Sequence, residues 1–410
     1  MQTPPSPEWV QSKRGRVMKK ALIYLDYNAA MPLRPSALKE MLEVLSLTGN
    51  PSSIHRFGHT LAMRIENARH KIATCLNSLP AEIIFTSGGT EANNLVLQSH
   101  YKNGYDILVS AVEHDSVLKS IENLEIIPVN SQGIICLENL ETLLSNKTQP
   151  TLISVMLANN ETGVIQPLNE IIAIAKRHKA LVHTDAAQAV GRVPCNFKDL
   201  DVDFMTLSSL KVGGPAGVGA LIAKEKLPLT PLLMGGGQER GKRAGTPNTA
   251  GICGFATAII EASQEDWHPC QVLRDQLELS LQHLTPEAYI FGQKTSRLPN
   301  TMCISLPNNR SDKYVMMYDL EGIAISAGSA CSSGKIKASH VLKAMKASED
   351  YLNSAIRVSL GIQTTKEEIE AFCKIWQDMA MKFQSSPLTK NQNLHNSMIV
   401  RKETYVSADL

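Results

Sequence analysis

The chain has 410 residues, of which 43% are hydrophobic, and it carries 41 Lys and Arg residues against 39 Asp and Glu residues. This length is enough for two domains, or for one large domain with a smaller one attached. The balance of charge gives no reason to expect nucleic acid or a membrane surface as the main partner. We therefore expect a small-molecule substrate.

No apolar run approaches the roughly 20 residues that a membrane-spanning helix needs. The N-terminal stretch MQTPPSPEWVQSKRGRVMKK also lacks the apolar segment of a secretory signal, so we expect a cytoplasmic protein with no membrane partner. Eight cysteines are scattered without a C-x-x-C pair, which suggests neither a zinc site nor a disulfide framework. Cys331 differs from the others, because its neighbours in ISAGSACSSGK are small residues that cannot bury a sulfur atom.

The predicted order of segments begins and ends with polar stretches. Residues 1–20 are expected to form a disordered arm, and residues 385–410 a loose polar tail. Between them, residues 21–260 are predicted to form a large α/β domain, with the stretch 21–50 packing on the small domain. Residues 261–384 are predicted to form that small α+β domain, which carries the ISAGSACSSGK loop.

Within the large domain, short apolar runs alternate with longer amphipathic ones. EIIFTS precedes the helix-like GTEANNLVLQSHYKN, DILVSAV precedes HDSVLKSIENL, TLISVML precedes PLNEIIAIAKRHK, and ALVHTDA and VDFMTLS follow. Strands of this length separated by helical segments predict βαβ units in a mainly parallel sheet, so the fold class is α/β. Downstream, the strand-like NTMCISLP and EGIAISAGS lie between two helical patterns, which suits a smaller α+β domain.

The stretch FTSGGTEANN predicts an anion site. A strand ends there, two glycines free the backbone, and a helix begins at Thr90 and Glu91. Unpaired N–H groups and the positive end of the helix dipole then meet at one point, which suits a phosphate group. Taken alone, the same pattern also describes an ordinary turn between a strand and a helix.

Asp185 in LVHTDAAQAVG lies at the end of a strongly apolar strand, where ligands bind in open α/β sheets. A carboxylate at that place can hold a cationic ring nitrogen through a charge-assisted hydrogen bond. By itself the residue would also suit a helix N-cap. The pattern therefore needs support from elsewhere in the chain.

Lys211 in MTLSSLKVGGPAGVGALIA follows a strand and precedes a glycine-rich turn. A lysine in a tight, partly desolvated place has a lowered pKa and becomes a nucleophilic amine that can form a Schiff base. A single lysine in a turn is more commonly a surface residue. The order of a phosphate cradle, an aspartate after a strand and a lysine after another strand nevertheless predicts a pyridoxal-phosphate site. His114, also just after a strand, fits as a ring that stacks on a flat cofactor.

The sequence resembles the NifS/IscS-like cysteine desulfurases, within the class V aminotransferase family of fold-type I pyridoxal-phosphate enzymes. The resemblance runs from about residue 23 to 380, in the family's order. The matching motifs are LDYNAA, NPSSIHRFG, FTSGGTEANN, EHDSV, NNETG, HTDAAQAVG, SSLKVGGPAGVGAL, GGGQERGKRAGTPN, GSACSSG and IRVSLG.

The resemblance implies a role for each matching residue. Lys211 would bind the cofactor as a Schiff base, Asp185 would pair with its ring nitrogen, and His114 would stack on the ring. Further residues would contact its phenolic oxygen, its phosphate or the substrate. Gln188 and Asn160 would lie near the phenolic oxygen, Asn160 also near the substrate; Gly89, Thr90 and Ser208 would hold the phosphate, with Thr246 from the second subunit of a homodimer; Arg357 would bind the substrate carboxylate.

The resemblance also implies the reaction, in which sulfur is removed from L-cysteine to give L-alanine. Cys331 would accept the sulfur as a persulfide and pass it to an iron–sulfur scaffold protein or another acceptor. A thiol must lose its proton to do this, so we expect a cationic or hydrogen-bonding neighbour when the loop closes. No metal is expected in the apo chain, although Cys331 could serve as a transient cluster ligand. The glycines and serines around Cys331 predict that about 329–338 is mobile.

Two positions depart from the family's pattern. Leu210 replaces the histidine that usually precedes the lysine, and a leucine cannot donate a hydrogen bond to a phosphate. Ala216 stands where a lysine is common, which removes a positive charge near the site. The C-terminal tail also differs from the segment with which housekeeping members dock their scaffold protein. The alternatives are therefore a selenocysteine lyase, another class V enzyme, or a weakly active paralogue with a binding role.

Overall fold

The computed structural model describes residues 22–307, 310–328 and 338–384. The predicted N-terminal arm, the predicted C-terminal tail and the Cys331 loop, with its predicted mobility, lie outside the described residues. None of the described helices is both long enough and apolar enough to cross a bilayer.

The described part of the chain contains strands β1 to β13 and helices α1 to α13. The strands are β1 Ile23–Tyr24, β2 Ile83–Thr86, β3 Asp106–Ser110, β4 Glu125–Ile127, β5 Thr151–Ser154, β6 Leu181–Asp185, β7 Phe204–Ser208, β8 Gly219–Ala223, β9 Tyr289–Ile290, β10 Thr301–Ser305, β11 Ile323–Ala324, β12 Ser326–Ala327 and β13 Ile356–Ser359. The helices are α1 Pro35–Leu45, α2 Arg56–Leu76, α3 Gly89–Lys102, α4 Asp115–Leu118, α5 Leu137–Ser145, α6 Leu168–Arg177, α7 Phe197–Leu200, α8 Thr249–Ser263, α9 His268–Leu284, α10 Ser311–Leu320, α11 His340–Ala344, α12 Glu349–Ser354 and α13 Lys366–Gln384.

The larger sheet has seven strands in the order β2-β8-β7-β6-β5-β3-β4. Neighbouring strands from β7 to β4 run parallel, whereas β8 is antiparallel to both β7 and β2. Because β8 reverses direction between them, β2 and β7 end at the same edge of the sheet. Every residue of β2, β5 and β8 is buried, as expected for strands that are covered on both faces. The prediction of a mainly parallel α/β sheet is confirmed.

Helix α8 fills the space between the larger sheet and helices α1 and α2. Most of its residues are buried, including Ile252, Phe255 and Ile259. A side chain at Gly254 would come within 2.7 Å of Met41 in α1, so the missing Cβ lets these two helices approach closely. The close packing fixes the layer that supports one side of the sheet.

The smaller sheet is antiparallel, with the strand order β12-β13-β10-β9. Aromatic side chains from α10 and α13 stack beneath it: the Tyr318 and Phe372 ring centroids are 4.4 Å apart, and those of Tyr314 and Trp376 are 5.4 Å apart. The indole N–H of Trp376 donates to Thr285 Oγ1 at 2.9 Å, so this apolar core leaves no buried indole donor unpaired. Fewer elements make up this part, as the sequence pattern predicts.

The N-terminal segment is shared between the two sheets. Strand β1 pairs with β11, and Leu25 belongs to the core under the smaller sheet. Helix α1 instead packs against α8 and buries Ala37 and Val44 in the core of the larger sheet. The prediction that residues 21–50 pack on the small domain therefore does not hold for α1. The domain boundary near residue 260 stays a prediction.

Helix α4 is shorter than the pattern HDSVLKSIENL predicts, since it covers only Asp115–Leu118. Ser120 bonds back to the carbonyl of Val117 through both its N–H at 3.1 Å and its Oγ at 2.7 Å. A serine side chain that competes for backbone partners in this way favours the end of a helix.

Candidate active site

A cavity of about 170 Å³ opens at the edge of the larger sheet where β2, β3, β5, β6 and β7 end. Carboxyl ends of parallel strands are the usual place for ligands in open α/β sheets. The cavity is lined by Asn28, Ala29, Gly89, Thr90, His114, Ser116, Met156, Ala158, Asn160, Asp185, Ala187, Gln188, Ser208, Lys211 and Arg357. The described structure therefore brings together every candidate site residue that the sequence suggested except Thr246 and Cys331.

One end of the cavity is formed by the N-terminus of α3. Its first N–H groups have no partner within the helix, and the N-cap residue Gly88 supplies no side-chain cap. Gly89 lies over β7, where a Cβ would be 3.7 Å from the Cβ of Ser208. The acidic residue of this first turn, Glu91, is directed away to Arg243, whose Nε donates to it at 2.9 Å. Glu91 therefore leaves the helix N-terminus able to receive an anion.

Asp185 ends β6 and is buried. Its Oδ2 accepts a hydrogen bond from Asn93 Nδ2 at 2.7 Å, and its Oδ1 accepts one from the backbone N–H of Ala187 at 2.9 Å. Asn93 in turn donates to Ser116 Oγ at 2.8 Å. The two bonds fix the direction of the carboxylate, which is the property that a partner for a cationic ring nitrogen needs.

His114 caps the short helix α4, because its Nδ1 accepts from the backbone N–H of Ser116 at 3.1 Å. Burial lowers the pKa of His114 below its ordinary value, against the opposing effect of the Asp185 carboxylate. The imidazole is therefore kept neutral near pH 7. A neutral, flat ring at the wall of the cavity is suited to stacking on another aromatic ring.

Lys211 lies in a single 3₁₀ turn, Ser209–Val212, directly after β7. Its Nζ donates to two backbone carbonyls, those of Asn28 and Ala29, each at 2.7 Å. Burial lowers the pKa of Lys211 to about 8, and the positive charges of Arg357 and Arg192 contribute to this shift. A substantial fraction of the amine is therefore uncharged near neutral pH and can act as a nucleophile.

Arg357 lies in β13 of the smaller sheet and reaches the cavity from the opposite side. Its Nη1 donates to the carbonyl of Asn160 at 3.0 Å, and its Nη2 donates to Asp26 Oδ1 at 2.7 Å. Its Nε is buried and has no hydrogen-bond partner. This arrangement holds a guanidinium at the cavity wall with one donor unused.

Thr246 is exposed and does not line this cavity. It lines a second, smaller one of about 100 Å³, together with Thr86, Ser87 and Arg243. Its proposed contribution to the site of a second subunit stays a prediction. Cys331 lies outside the described residues.

The other cysteines are not suited to carry sulfur. Burial raises the pKa of six thiols, which keeps them protonated and poorly nucleophilic. They are Cys75, Cys195, Cys253, Cys270, Cys303 and Cys373. Among the described residues, no group of three or more histidine, cysteine or acidic side chains could hold a metal ion.

Sequence reasoning missed several polar residues that shape the site. Asn93 directs Asp185, and Arg192 donates to Gln188 and to the carbonyl of Lys211. Asn28 offers its carbonyl to both Lys211 and Gln188. The position of Asn93, one helical turn after Gly89, was a usable signal because it faces the same side of α3 as the helix start. Nothing local distinguishes Asn28 or Arg192.

The chain belongs to the class-V aminotransferase family, whose model matches residues 23–372. This is the family to which its motifs pointed, and its members are pyridoxal-phosphate enzymes. Within the family, the chain is similar to the cysteine desulfurases. It is 40% identical over 365 residues to the cysteine desulfurase IscS of Dictyoglomus turgidum, covering 85% of this chain and 92% of the relative.

Further comparisons agree with this placement. A cysteine desulfurase of Cereibacter sphaeroides is 39% identical over 86% of this chain and 94% of its own length. The solved structure of a NifS-like protein from Rickettsia africae superposes with a TM-score of 0.82 at 37% identity, over 88% of this chain and 99% of that one. A solved structure of SspA, a protein determined in complex with cysteine, gives a TM-score of 0.73 at 29% identity, over 82% of this chain and 98% of that one. The predicted fold-type I architecture and the predicted family are confirmed.

Proposed function

We propose that the chain is a pyridoxal-phosphate-dependent cysteine desulfurase that removes sulfur from L-cysteine and releases L-alanine. The observation that carries the proposal is the convergence of Lys211, Asp185 and His114 on one cavity, next to the open N-terminus of α3. The similarity to cysteine desulfurases over most of the chain supports the choice of reaction and substrate.

The cavity residues fit pyridoxal phosphate. The first turn of α3, with Gly89, Thr90 and the nearby Ser208, offers N–H and hydroxyl donors for the phosphate. Asp185 offers an oriented carboxylate for the ring nitrogen, and Lys211 offers an amine of lowered pKa for the aldehyde. When bound, the cofactor would supply an electron sink that weakens bonds to the substrate's α-carbon.

Lys211 and Arg357 have separate tasks in this proposal. Lys211 Nζ is an amine of the cavity that is partly uncharged near pH 7, so it can take up a proton from the substrate and return one. Arg357 would receive the substrate carboxylate, through its unused Nε and through Nη1, which now donates only to a neutral carbonyl. A planar guanidinium also fixes the orientation of a carboxylate.

Cys331 would be the sulfur acceptor. Its thiolate would form an S–S bond with the sulfur of cysteine while the C–S bond of the substrate breaks. The electron pair of that bond stays with the carbon skeleton, which takes up a proton and leaves as alanine. The product is a persulfide on Cys331, and a sulfur-acceptor protein or an iron–sulfur scaffold would receive the sulfur next.

One experiment tests the proposal directly. The purified protein, loaded with pyridoxal phosphate, is incubated with cysteine and a reductant, and sulfide and alanine are measured together. Equal amounts of both products are expected. Cys331→Ser should abolish sulfide release, whereas Cys373→Ser, in a half-buried thiol of α13, should not. The absence of both products would refute desulfurase activity, and unchanged release by Cys331→Ser would refute its role as acceptor.

We also propose that the active form is a homodimer. Large apolar side chains are exposed on α1, at the start of α2 and near the loop that leads to Thr246. Their exposed fractions are 59% for Leu42, 65% for Leu45, 67% for Phe57 and 80% for Met234. Exposed apolar surface of this kind is typical of an interaction site, and a partner there would bring a second Thr246 near the phosphate end of each cavity.

A further inference from the structure

Arg192 is a buried arginine in the turn that follows β6. Only 6% of the residue is exposed. The preceding residue, Gly191, has a φ of 77°, and its carbonyl accepts a hydrogen bond from the indole N–H of Trp267 at 2.5 Å. The Trp267 ring centroid lies 5.7 Å from the guanidinium carbon of Arg192. The position of this side chain is therefore fixed by the fold.

The guanidinium of Arg192 holds two residues of the cavity wall from behind. Its Nη1 donates to the backbone carbonyl and to the side-chain oxygen Oε1 of Gln188, each at 2.7 Å. Its Nη2 donates to the backbone carbonyl of Lys211 at 3.3 Å. Arg192 does not itself line the cavity, so it acts on any ligand there through its neighbours.

This cation has only neutral partners. Arg192 forms no ion pair with any carboxylate in the described part of the chain, and its Nε is buried without a hydrogen-bond partner. Burial lowers the pKa of Arg192 to about 10. A buried charge that no opposite charge offsets is unfavourable for stability. Stability alone therefore does not explain an arginine here.

The contact with Arg192 fixes which way the amide of Gln188 points. A guanidinium carries only donors, so the Gln188 atom that faces it must be the oxygen. The amide nitrogen then lies on the other side, where Nε2 donates to the carbonyl of Asn28 at 3.0 Å. An NH₂ group has two protons, so one donor remains for a ligand in the cavity. Donors at this place favour an anionic oxygen.

The same guanidinium affects Lys211 electrostatically. The positive charge of Arg192 is one of the causes that lower the pKa of Lys211, after burial and the charge of Arg357. Asp26 and Asp185 act in the opposite direction on Lys211. Glu265 and Cys270 are the other titratable groups that act on Arg192 itself, besides Arg357. Two of these charges, Arg192 and Arg357, thus favour the uncharged amine.

We propose that Arg192 is a positioning residue of the desulfurase reaction, which turns the Gln188 amide nitrogen toward the phenolic oxygen of the cofactor and adds a positive field at Lys211. The inference rests on the proposed function, because it assumes pyridoxal phosphate in the cavity. It assigns no contact with substrate or cofactor to Arg192 itself.

The test is a pH titration of the visible absorption band of the bound cofactor. Arg192→Met keeps much of the side-chain volume but removes the charge and the donors. The titration midpoint should rise by about one pH unit, because the protonated form of the cofactor linkage loses a nearby positive charge that opposes it. Arg192→Lys keeps the charge and a donor and should restore most of the original midpoint.

Arg274→Met is the matched control, since Arg274 is equally buried but bonds to Asp275 and to the carbonyl of Leu298, away from the cavity. It should lower thermal stability and leave the midpoint unchanged. If Arg192→Met does not fold, Arg192→Gln provides the second neutral variant, with the same expected rise. A midpoint unchanged in the folded neutral variant would overturn the inference.

The failure of this inference and of the proposed function are distinguishable. If the unmodified protein binds no pyridoxal phosphate or releases no sulfide from cysteine, the proposed function fails. If it does both and Arg192→Met shifts neither the midpoint nor kcat, only the role of Arg192 is refuted.

Discussion

Leu210 is half-buried at the end of β7, directly before Lys211. Its carbonyl accepts a hydrogen bond from the backbone N–H of Met31 at 3.2 Å, so the backbone at this position is held whatever the side chain. The apolar side chain offers no donor to a phosphate at the nearby start of α3. The position is therefore a site where cofactor affinity can be changed without disturbing the fold.

We expect Leu210→His to tighten the binding of pyridoxal phosphate at least tenfold, since a hydrogen bond to a charged group is worth about 1.5–3 kcal/mol. Titration of the apo-enzyme measures this change. Leu210→Ala, which also removes the leucine but adds no donor, is the control. Equal affinities for the two variants would contradict the explanation.

Glu161 shows how a buried carboxyl can make stability depend on pH. Its Oε2 accepts a hydrogen bond from Ser339 Oγ at 2.5 Å, and burial raises the pKa of Glu161 to about 7. In the unfolded chain a glutamate has a pKa of about 4.3. The folded state therefore favours the protonated form, and this contribution is present below about pH 4.3 and is lost as the pH rises to 7.

Glu161→Gln should become progressively more stable than the unmodified protein between pH 4.3 and 7, by up to about 3 kcal/mol. The amide stays neutral and still offers an oxygen to Ser339. Denaturant unfolding at several pH values measures the difference. Exposed Glu287→Gln provides the comparison, for which a flat difference is expected. A flat difference for Glu161→Gln as well would contradict the raised pKa.

Among the elements, the turn Gln238–Gly241 departs most from ordinary backbone geometry. Glu239 and Arg240 have φ values of 46° and 56°, and Gly241 follows with 76°. Non-glycine residues in this left-handed region cost of order 1–2 kcal/mol each. The Glu239 carboxylate accepts from Arg69 and from the backbone N–H of Phe85, all at 2.9 Å. This buried ion pair holds the turn in place.

We expect Glu239→Gln to lower the free energy of unfolding by about 3 kcal/mol, because it leaves the buried guanidinium of Arg69 without its main counter-charge. Glu66→Gln removes the other, half-exposed carboxylate that contacts the same arginine and should cost less than about 1 kcal/mol. Denaturant unfolding of both variants measures this contrast. Similar losses would show that the buried pair has no special role.

The strands and long helices could be predicted because their signal is local. Apolar runs such as ALVHTDA and VDFMTLS are buried on both faces, and the ends of these runs place Asp185 and Lys211 at one edge. The antiparallel direction of β8 could not be predicted, since a buried strand reads alike in either direction. Arg192 was missed because its partners are backbone and amide oxygens that only the folded chain brings near.

At the scale of the whole molecule, the proposed exchange of Thr246 between subunits can be tested with mixed dimers. One subunit carries Lys211→Ala and the other Thr246→Val. The second subunit then keeps its own Lys211 and receives an intact Thr246 from the first. We expect about half of the unmodified activity, because one site of the two is complete.

The reciprocal mixture is the control for this experiment. A subunit with both substitutions is paired with an unmodified one, so the only subunit that keeps Lys211 receives valine at position 246. Cofactor affinity at that site should fall at least tenfold through the lost hydrogen bond to the phosphate. If instead the first mixture is inactive and the second active, Thr246 serves its own chain.

The contacts of Asn28 have a consequence for the order in which the chain folds. Its carbonyl receives Lys211 Nζ at 2.7 Å, its Nδ2 donates to Thr301 Oγ1 at 2.9 Å, and its N–H donates to Ser359 Oγ at 3.0 Å. A residue near the start of the chain is thus fixed by strands near its end. During synthesis from the N-terminus, the larger sheet can form early, but Lys211 gains its final partners only after β13 has emerged. The cofactor cavity is therefore among the last parts of the molecule to be completed, and a nascent chain that stops before β13 lacks the contacts that hold Asn28 at its wall.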